Sequence, residues 1–256
     1  MAPHFSELCV DAADGTIRCL LADPDRLSTR PALLLNFATD RANTLQQTPY
    51  DIPSQMFLAA GHRVASFDLP CHGERGVAGR PGGIAGFIAL WAEGRDVFSQ
   101  FVGDGRAVID ALINDGRATP GRIFVCGTSR GAYFALRLMA GDERIEAAAA
   151  FNPVTDWRAI REFADLRDQP EIADLALTGS VDALAGRAVW AAIGNRDMRV
   201  GTDCCLQFVQ AIVAAESAKG CETSHVVLHV VPEDGHKLSD DWRRRGGEHL
   251  LSIAKG

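Results

Sequence analysis

The fold is decided by residues 122–131, which read RIFVCGTSRG. The first five, apolar after Arg122, are typical of a buried strand, and the following residues 132–140, AYFALRLMA, have the pattern of a helix. A strand, a turn with Gly127 and Gly131 around Ser129, and then a helix form the context in which a G-x-S-x-G match carries meaning. Glycines flank the serine because the turn is too sharp for side chains beside it. Such a turn lifts the serine hydroxyl to the carboxyl edge of a sheet.

Composition limits the size of the core and the kinds of partner. The chain has 256 residues, 47% of them hydrophobic, which predicts one large domain over residues 1–256. Its net charge is −7 with both signs well mixed, so no nucleic-acid partner is expected. Seven cysteines without metal-ligand spacing indicate reduced core thiols, and no motif implies a metal or an organic cofactor. No signal-peptide pattern and no membrane-spanning apolar run are visible, which predicts a cytoplasmic protein without a membrane partner. A homo-oligomer is left open.

Strand and helix patterns alternate along the chain. A hairpin of residues 5–10 and 16–22 comes first. The later strands alternate with helices, which predicts an α/β fold with a mostly parallel central sheet of about eight strands and helices on both faces. The other predicted strands are 31–38, 63–69, 122–126, 145–151, 188–193 and 224–231, the predicted helices are 53–60, 87–114, 132–140, 203–218 and 240–254, and residues 70–86 are predicted to be a glycine-rich loop.

Three strand ends bring chemistry to one edge of this predicted sheet. Ser129 follows one strand, Asp197 follows the strand 188–193, and His236 lies just beyond the strand 224–231. The loops after parallel strands emerge at the same edge, so a serine, an acid and an imidazole converge in that chain order. The plainer alternative for Ser129 is a structural turn serine.

The acid and the base also have alternatives. Asp197 is alternatively a helix-capping or salt-bridging acid, and Asp203 fits a capping residue as well. Asp234 is close to His236 in sequence but shares its loop, which makes it a poorer group for orienting the ring. His72 is the other histidine on a loop at this edge, and we interpret it as structural or pocket-lining.

At this point the chain resembles the α/β-hydrolase superfamily of serine hydrolases over nearly its whole length. The matching segments are GTSRG at 127–131, GNRD at 194–197 and DGH at 234–236. Residues 67–75, FDLPCHGER, and 151–156, FNPVTD, resemble the dienelactone-hydrolase-like and prolyl-oligopeptidase-like branches. The resemblance implies the α/β-hydrolase fold in a single domain, with a small helical cap inserted at about 155–186.

The resemblance also implies a mechanism. Ser129 would attack as the nucleophile, His236 would take its proton, and Asp197 would orient the imidazole, giving an acyl-enzyme that water hydrolyses.

An oxyanion hole would need two backbone N–H donors. One is the N–H of Arg130, directly after the nucleophile. The third strand of the family usually ends in a His-Gly pair, but here the matching residues are 36–38, Asn-Phe-Ala. Ala38 is therefore the expected second donor, with Phe37 as the other candidate. The side chain of Arg130 is interpreted equally as a contact for an acidic substrate group or as a surface salt-bridge partner.

These expectations describe a serine hydrolase acting on small or medium carboxylic esters, with a small-molecule ester as its partner. A peptidase or amidase with the same three residues is the second interpretation. A non-catalytic ligand-binding homologue is the third, because a fold does not fix a function. Residues 76–86 are either a mobile flap over the site or plain surface.

Overall fold

The computed structural model describes residues 3–255 and confirms the predicted central sheet. Eight strands lie in the order β1-β2-β4-β3-β5-β6-β7-β8. Strands β1, β2 and β4 pair antiparallel, and all pairs from β4 through β3 to β8 are parallel. The strands are β1 His4–Ala12, β2 Gly15–Asp23, β3 Leu33–Phe37, β4 Arg63–Phe67, β5 Ile123–Thr128, β6 Ile145–Phe151, β7 Ala188–Gly194 and β8 Val226–Val231.

Helices connect the parallel strands. They are α1 Arg41–Gln46, α2 Ile52–Ala59, α3 Gly83–Ala92, α4 Val97–Asn114, α5 Arg130–Gly141, α6 Pro170–Ala173, α7 Val181–Leu184, α8 Thr202–Ala218 and α9 Asp240–Ala254. Short 3₁₀ turns occupy Gly73–Arg75, Trp157–Ala159, Arg161–Leu166 and Leu177–Ser180. No helix within residues 3–255 is long and apolar enough to cross a lipid bilayer.

The helical prediction was wrong in three places. The single helix expected over 87–114 is two helices, because Gly94 takes a left-handed φ of 76° and Asp96 starts a new helix, its carboxylate accepting from the N–H groups of Phe98 and Ser99. Helix α3 also begins at Gly83, inside the segment 70–86 that was expected to be loop. Helix α1 was not predicted at all; Asp40 caps it by accepting from the Asn43 N–H.

The sheet is buried on both faces. In β3, Leu33 and Leu35 pack into one apolar cluster while Leu34 packs into the other. The first cluster lies under α3, α4 and α5 and is rich in aromatic rings, and the second lies under α2 and α9. Continuous burial on both faces explains why the parallel strands read as unbroken apolar runs rather than as alternating ones.

Residues 155–186 form only 3₁₀ turns and the short helices α6 and α7. Trp157 and Phe163 are fully buried, with ring centroids 5.1 Å apart, and both belong to the aromatic cluster. These large apolar side chains therefore pack inward against the sheet domain. The role of this segment as a cap stays a prediction.

The segment after β4 is held by a buried ion pair. The Asp68 carboxylate accepts from the Arg41 N–H, the Arg41 guanidinium and the Glu74 N–H, each at 2.8 Å. Both Asp68 and Arg41 are buried, and a buried carboxylate is stable only when its lone pairs are used in this way. The chain leaving β4 is thereby fixed as it passes to His72 and the start of α3.

Candidate active site

Ser129 lies at the tip of a strained turn between β5 and α5. Its φ is 58° and its ψ is −121°, a conformation that side-chain-bearing residues rarely adopt. A Cβ atom on Gly131 would lie 2.1 Å from the Phe37 carbonyl oxygen, and one on Gly127 would lie 2.4 Å from the Gly131 carbonyl carbon. These approaches are impossible for any other residue, so the two glycines are required by close backbone contact.

We therefore expect Gly131→Ala to lower the free energy of unfolding by at least about 1–3 kcal/mol, as overpacking does elsewhere. The new methyl group must push β3 and α5 apart, which also misplaces Ser129. Gly103→Ala on α4 is the matched control, because a Cβ there meets nothing within 4 Å. That control should be neutral or stabilise the helix by up to about 1 kcal/mol. Urea denaturation of both variants measures the difference, and equal midpoints would contradict the packing argument.

The structure brings the three predicted side chains into one hydrogen-bonded chain. The distance from Ser129 Oγ to His236 Nε2 is 2.9 Å, and the distance from His236 Nδ1 to Asp197 Oδ2 is 2.8 Å. Asp197 is buried, whereas the His236 side chain keeps 27% of its surface exposed. A carboxylate on Nδ1 places the ring proton there, which leaves Nε2 as the acceptor facing the serine hydroxyl.

Asp197 accepts hydrogen bonds on both oxygens. Oδ1 accepts from the N–H groups of Arg199 at 3.0 Å and Val200 at 3.3 Å, and Oδ2 accepts from Asn152 Nδ2 at 2.8 Å besides His236. Burial alone would raise the pKa of Asp197, but the bonds from His236, Asn152 and the Arg199 N–H hold that pKa below its ordinary value. The group is therefore a carboxylate at neutral pH.

Asn152 is a site residue that the sequence reasoning missed. It directly follows β6 and takes a left-handed φ of 44°, which directs its amide to Asp197. A signal existed in the segment FNPVTD: an asparagine directly after a buried strand, at the same edge as the other strand ends, is a natural residue for left-handed backbone.

Within residues 3–255, neither the alternative acids nor the alternative base is hydrogen-bonded to Ser129 or to His236. Asp234 forms an exposed ion pair with Arg196, and Asp203 lies in the first turn of α8. The Nδ1 atom of His72 lies 2.8 Å from the Pro70 carbonyl oxygen. Of the candidates considered, His236 is the base placed against Ser129, and Asp197 is the acid placed against His236.

The expected oxyanion donors differ in whether their N–H groups already have a hydrogen-bond partner. Arg130 is the first residue of α5, so its N–H has no partner within the helix and remains available next to Ser129. The Ala38 N–H lies 3.2 Å from Thr44 Oγ1 and donates to it. Phe37 is the last residue of β3, and its ring is fully buried against Phe67 and Phe101. The second donor stays a prediction.

A cavity of about 210 Å³ opens at Ser129. Its lining residues are Ala38, Thr39, Tyr50, Ile84, Thr128, Ser129, Arg130, Asn152, Arg199, His236, Leu238 and Arg243. Ile84, from the segment 76–86, is one of these lining residues. The role of that segment as a flap stays a prediction. A larger depression of about 900 Å³ includes Ile145 and Ala188, the first residues of β6 and β7. It therefore lies at the opposite edge of the sheet from the elbow, the turn of residues 127–131 that carries Ser129.

Comparison with known protein families finds a match over more than half of the chain. A model described as the prolyl oligopeptidase family matches residues 94–252, a range that contains Ser129, Asp197 and His236. No curated protein matches the chain at a significant level.

Solved structures similar to this chain include peptidases and an esterase. Porphyromonas gingivalis dipeptidyl peptidase 4 is similar with a TM-score of 0.73 at 17% identity, over 98% of this chain and 36% of that protein. TT1662 from Thermus thermophilus is similar with a TM-score of 0.75 at 19% identity, over the full length of both chains. The Pyrococcus furiosus esterase Pf2001 has a TM-score of 0.68 at 16% identity, over 98% of this chain and 91% of that one. The chain thus spans about a third of the peptidase, and identities this low show a shared fold alone.

Proposed function

The chain belongs to the prolyl oligopeptidase family and has the α/β-hydrolase fold, and from this premise we propose that it is a serine hydrolase that cleaves small or medium carboxylic esters. The observation that carries the proposal is the unbroken hydrogen-bonded chain from Ser129 through His236 to Asp197. A serine hydroxyl is a poor nucleophile at neutral pH unless a base takes its proton, and here the base is in place.

In the proposed reaction, His236 Nε2 accepts the Ser129 proton as Oγ attacks the ester carbonyl carbon. The imidazolium that forms is stabilised by Asp197, and it returns the proton to the leaving alcohol. The second half repeats these steps with water as the nucleophile, which releases the acid and restores Ser129.

The negative charge on the former carbonyl oxygen is proposed to be held by the Arg130 N–H and by a second donor near Ala38. Losing one such donor typically raises the barrier by about 3–4 kcal/mol. The charge develops beside the start of α5, where the helix dipole is also favourable for an anion.

A peptidase using the same three residues is the second candidate, and the family match is what favours it. The two candidates differ in how the acyl side of the substrate is used. A peptidase gains rate from remote binding of an extended peptide, whereas a cavity of about 210 Å³ suits a short acyl chain.

We expect kcat/KM for 4-nitrophenyl esters to peak at a short acyl chain, and peptidyl 4-nitroanilides to be turned over poorly whatever their length. The test compares acetate, butanoate and octanoate esters with proline 4-nitroanilides that carry no, one or two further residues. A steep rise in kcat/KM with peptide length, up to the level of the best ester, would replace the esterase assignment by the peptidase one.

A further inference from the structure

The cavity at Ser129 is lined by three arginines, Arg130, Arg199 and Arg243, and by no aspartate or glutamate within residues 3–255. One of these charges is already balanced. The Arg199 guanidinium forms two parallel bonds to the Glu162 carboxylate, at 2.5 and 2.8 Å. The other two arginines form no ion pair with any described residue.

Arg130 is half-buried, with its guanidinium over the start of α3. A Cβ on Gly83 would lie 3.6 Å from Arg130 Nη1 and 3.7 Å from His72 Nε2, so the arginine and the imidazole both approach the start of α3. Burial is the main cause that lowers the pKa of Arg130, and the charge of Arg199 adds to it. Burial likewise lowers the pKa of His72, so its ring is neutral at pH 7 and adds no further positive charge beside Arg130.

Arg243 reaches the cavity from α9 and is only 6% exposed. One guanidinium nitrogen donates to the Leu238 carbonyl, and the buried Nε has no partner. A buried guanidinium without a carboxylate is costly, because the charge loses its hydration and gains little in return. Arg243 feels Asp240 and Glu233 only at longer range, and neither it nor the half-buried Arg130 has an ion-pair partner among residues 3–255. Two such cations beside a candidate nucleophile indicate that a countercharge arrives with the ligand.

We propose that Arg130, assisted by Arg243, binds a carboxylate of the substrate, so that the preferred ester carries a free carboxylate within reach of the scissile bond. The proposal rests on the proposed hydrolase function and names its substrate class. The planar guanidinium fork matches a carboxylate in a bidentate geometry, and the cavity volume of about 210 Å³ restricts the substrate to a small one.

The test uses two pairs of esters of similar size, in each of which one member carries a free carboxylate and the other is neutral. For the acyl side the pair is 4-nitrophenyl hydrogen glutarate and 4-nitrophenyl pentanoate, and for the leaving side it is 4-acetoxybenzoate and its methyl ester. Rates are corrected with the Ser129→Ala protein, because the glutarate ester also hydrolyses on its own. We expect wild type to prefer the charged member of at least one pair by tenfold or more in kcat/KM. Arg130→Gln should bring that ratio close to one, and Arg130→Lys should leave it in between.

Arg137→Gln is the matched control. It removes one positive charge from the same helix, α5, at a residue that lines a different surface depression. The preference for the charged ester should survive in this variant. A loss of preference in Arg137→Gln as large as in Arg130→Gln would reduce the effect to general electrostatics and overturn the proposal.

Direct binding separates the carboxylate site from the hydrolase function. Isothermal titration with glutarate should give a Kd at least tenfold weaker for Arg130→Gln than for wild type and Arg137→Gln. Turnover of neutral esters by Ser129, without charge preference and without glutarate binding, would overturn the carboxylate site and leave the hydrolase function standing. Glutarate binding that depends on Arg130, in a protein that turns over no ester, would support the site and contradict the hydrolase function.

Discussion

Replacing Ser129 by alanine is expected to lower kcat for ester hydrolysis by about a millionfold. The change removes Oγ, which lies 2.9 Å from His236 Nε2, and with it the proposed acyl-enzyme route. Alanine and serine tolerate a φ of 58° about equally. The variant should therefore lose little more than one hydrogen bond, or about 1 kcal/mol of unfolding free energy. Steady-state turnover of 4-nitrophenyl butanoate measures the effect, with urea denaturation to check the fold.

Ser99→Ala is the control for this experiment, since Ser99 is exposed on α4. Intact-mass analysis after a fluorophosphonate should find one added group on wild type and on Ser99→Ala, and none on Ser129→Ala. Full turnover by Ser129→Ala would mean that Ser129 is a turn serine. A folded wild type that takes up no phosphonate and turns over no ester would favour the ligand-binding interpretation.

Local sequence patterns were enough to predict most of the fold and the placing of Ser129, Asp197 and His236. The elbow was predictable because its strand, its two glycines and its helix are adjacent in sequence, and Gly127 and Gly131 meet a steric demand of the turn itself. The sheet edge that collects Ser129, Asp197 and His236 followed from parallel strand polarity, which does not depend on side-chain detail.

What sequence reasoning could not supply depends on distant segments meeting. Tyr50, just before α2, and Arg243, in α9, both line the cavity although they are far from Ser129 in sequence. Whether the Arg130 side chain faced a carboxylate was open, because pairing is decided by which loops fold over it. The bond from the Ala38 N–H to Thr44 was invisible for the same reason, since α1 itself was not predicted.

The break between α3 and α4 is a different kind of error. Gly94 followed by Asp96 is a stop signal and a start signal for helices, and both are local. The apolar pattern that runs through both helices concealed them, because each helix buries an apolar face in the same aromatic cluster.

Asp197→Asn is expected to lower kcat by about four orders of magnitude, the usual cost when the acid that fixes the imidazole tautomer loses its charge. Asp197 accepts two hydrogen bonds on each oxygen. An asparagine can accept on one oxygen only, so either orientation turns its NH₂ group against N–H donors. If the NH₂ group faces His236, the ring is driven to the tautomer that presents N–H to the serine, which cannot act as a base. The measurement is kcat and KM on the best short-chain ester, and KM should change much less than kcat.

Asp234→Asn is the matched control for the charge. It removes an acid two residues before His236 that pairs with Arg196 at the surface, where ion pairs contribute about 0–1 kcal/mol. Its kcat should equal that of wild type. An equal loss in both variants would show that net charge near the loop, rather than the contact to His236, is what matters, and Asp197 would lose its proposed role.

The pH dependence of stability separates the catalytic part of this effect from the structural part. Because the folded state holds the pKa of Asp197 below its ordinary value, the carboxylate stabilises the fold at neutral pH. That contribution is lost as the pH falls through the folded-state pKa in the acid range. The asparagine variant has no such group, so the gap in unfolding free energy between it and wild type should be largest near pH 7 and shrink on acidification. Urea titrations at pH 7, 5 and 3.5 measure this gap. If the difference in unfolding free energy does not depend on pH, the loss of stability comes from packing around Asp197. If the difference closes in acid and kcat of the variant is low at pH 7, both effects come from the same negative charge.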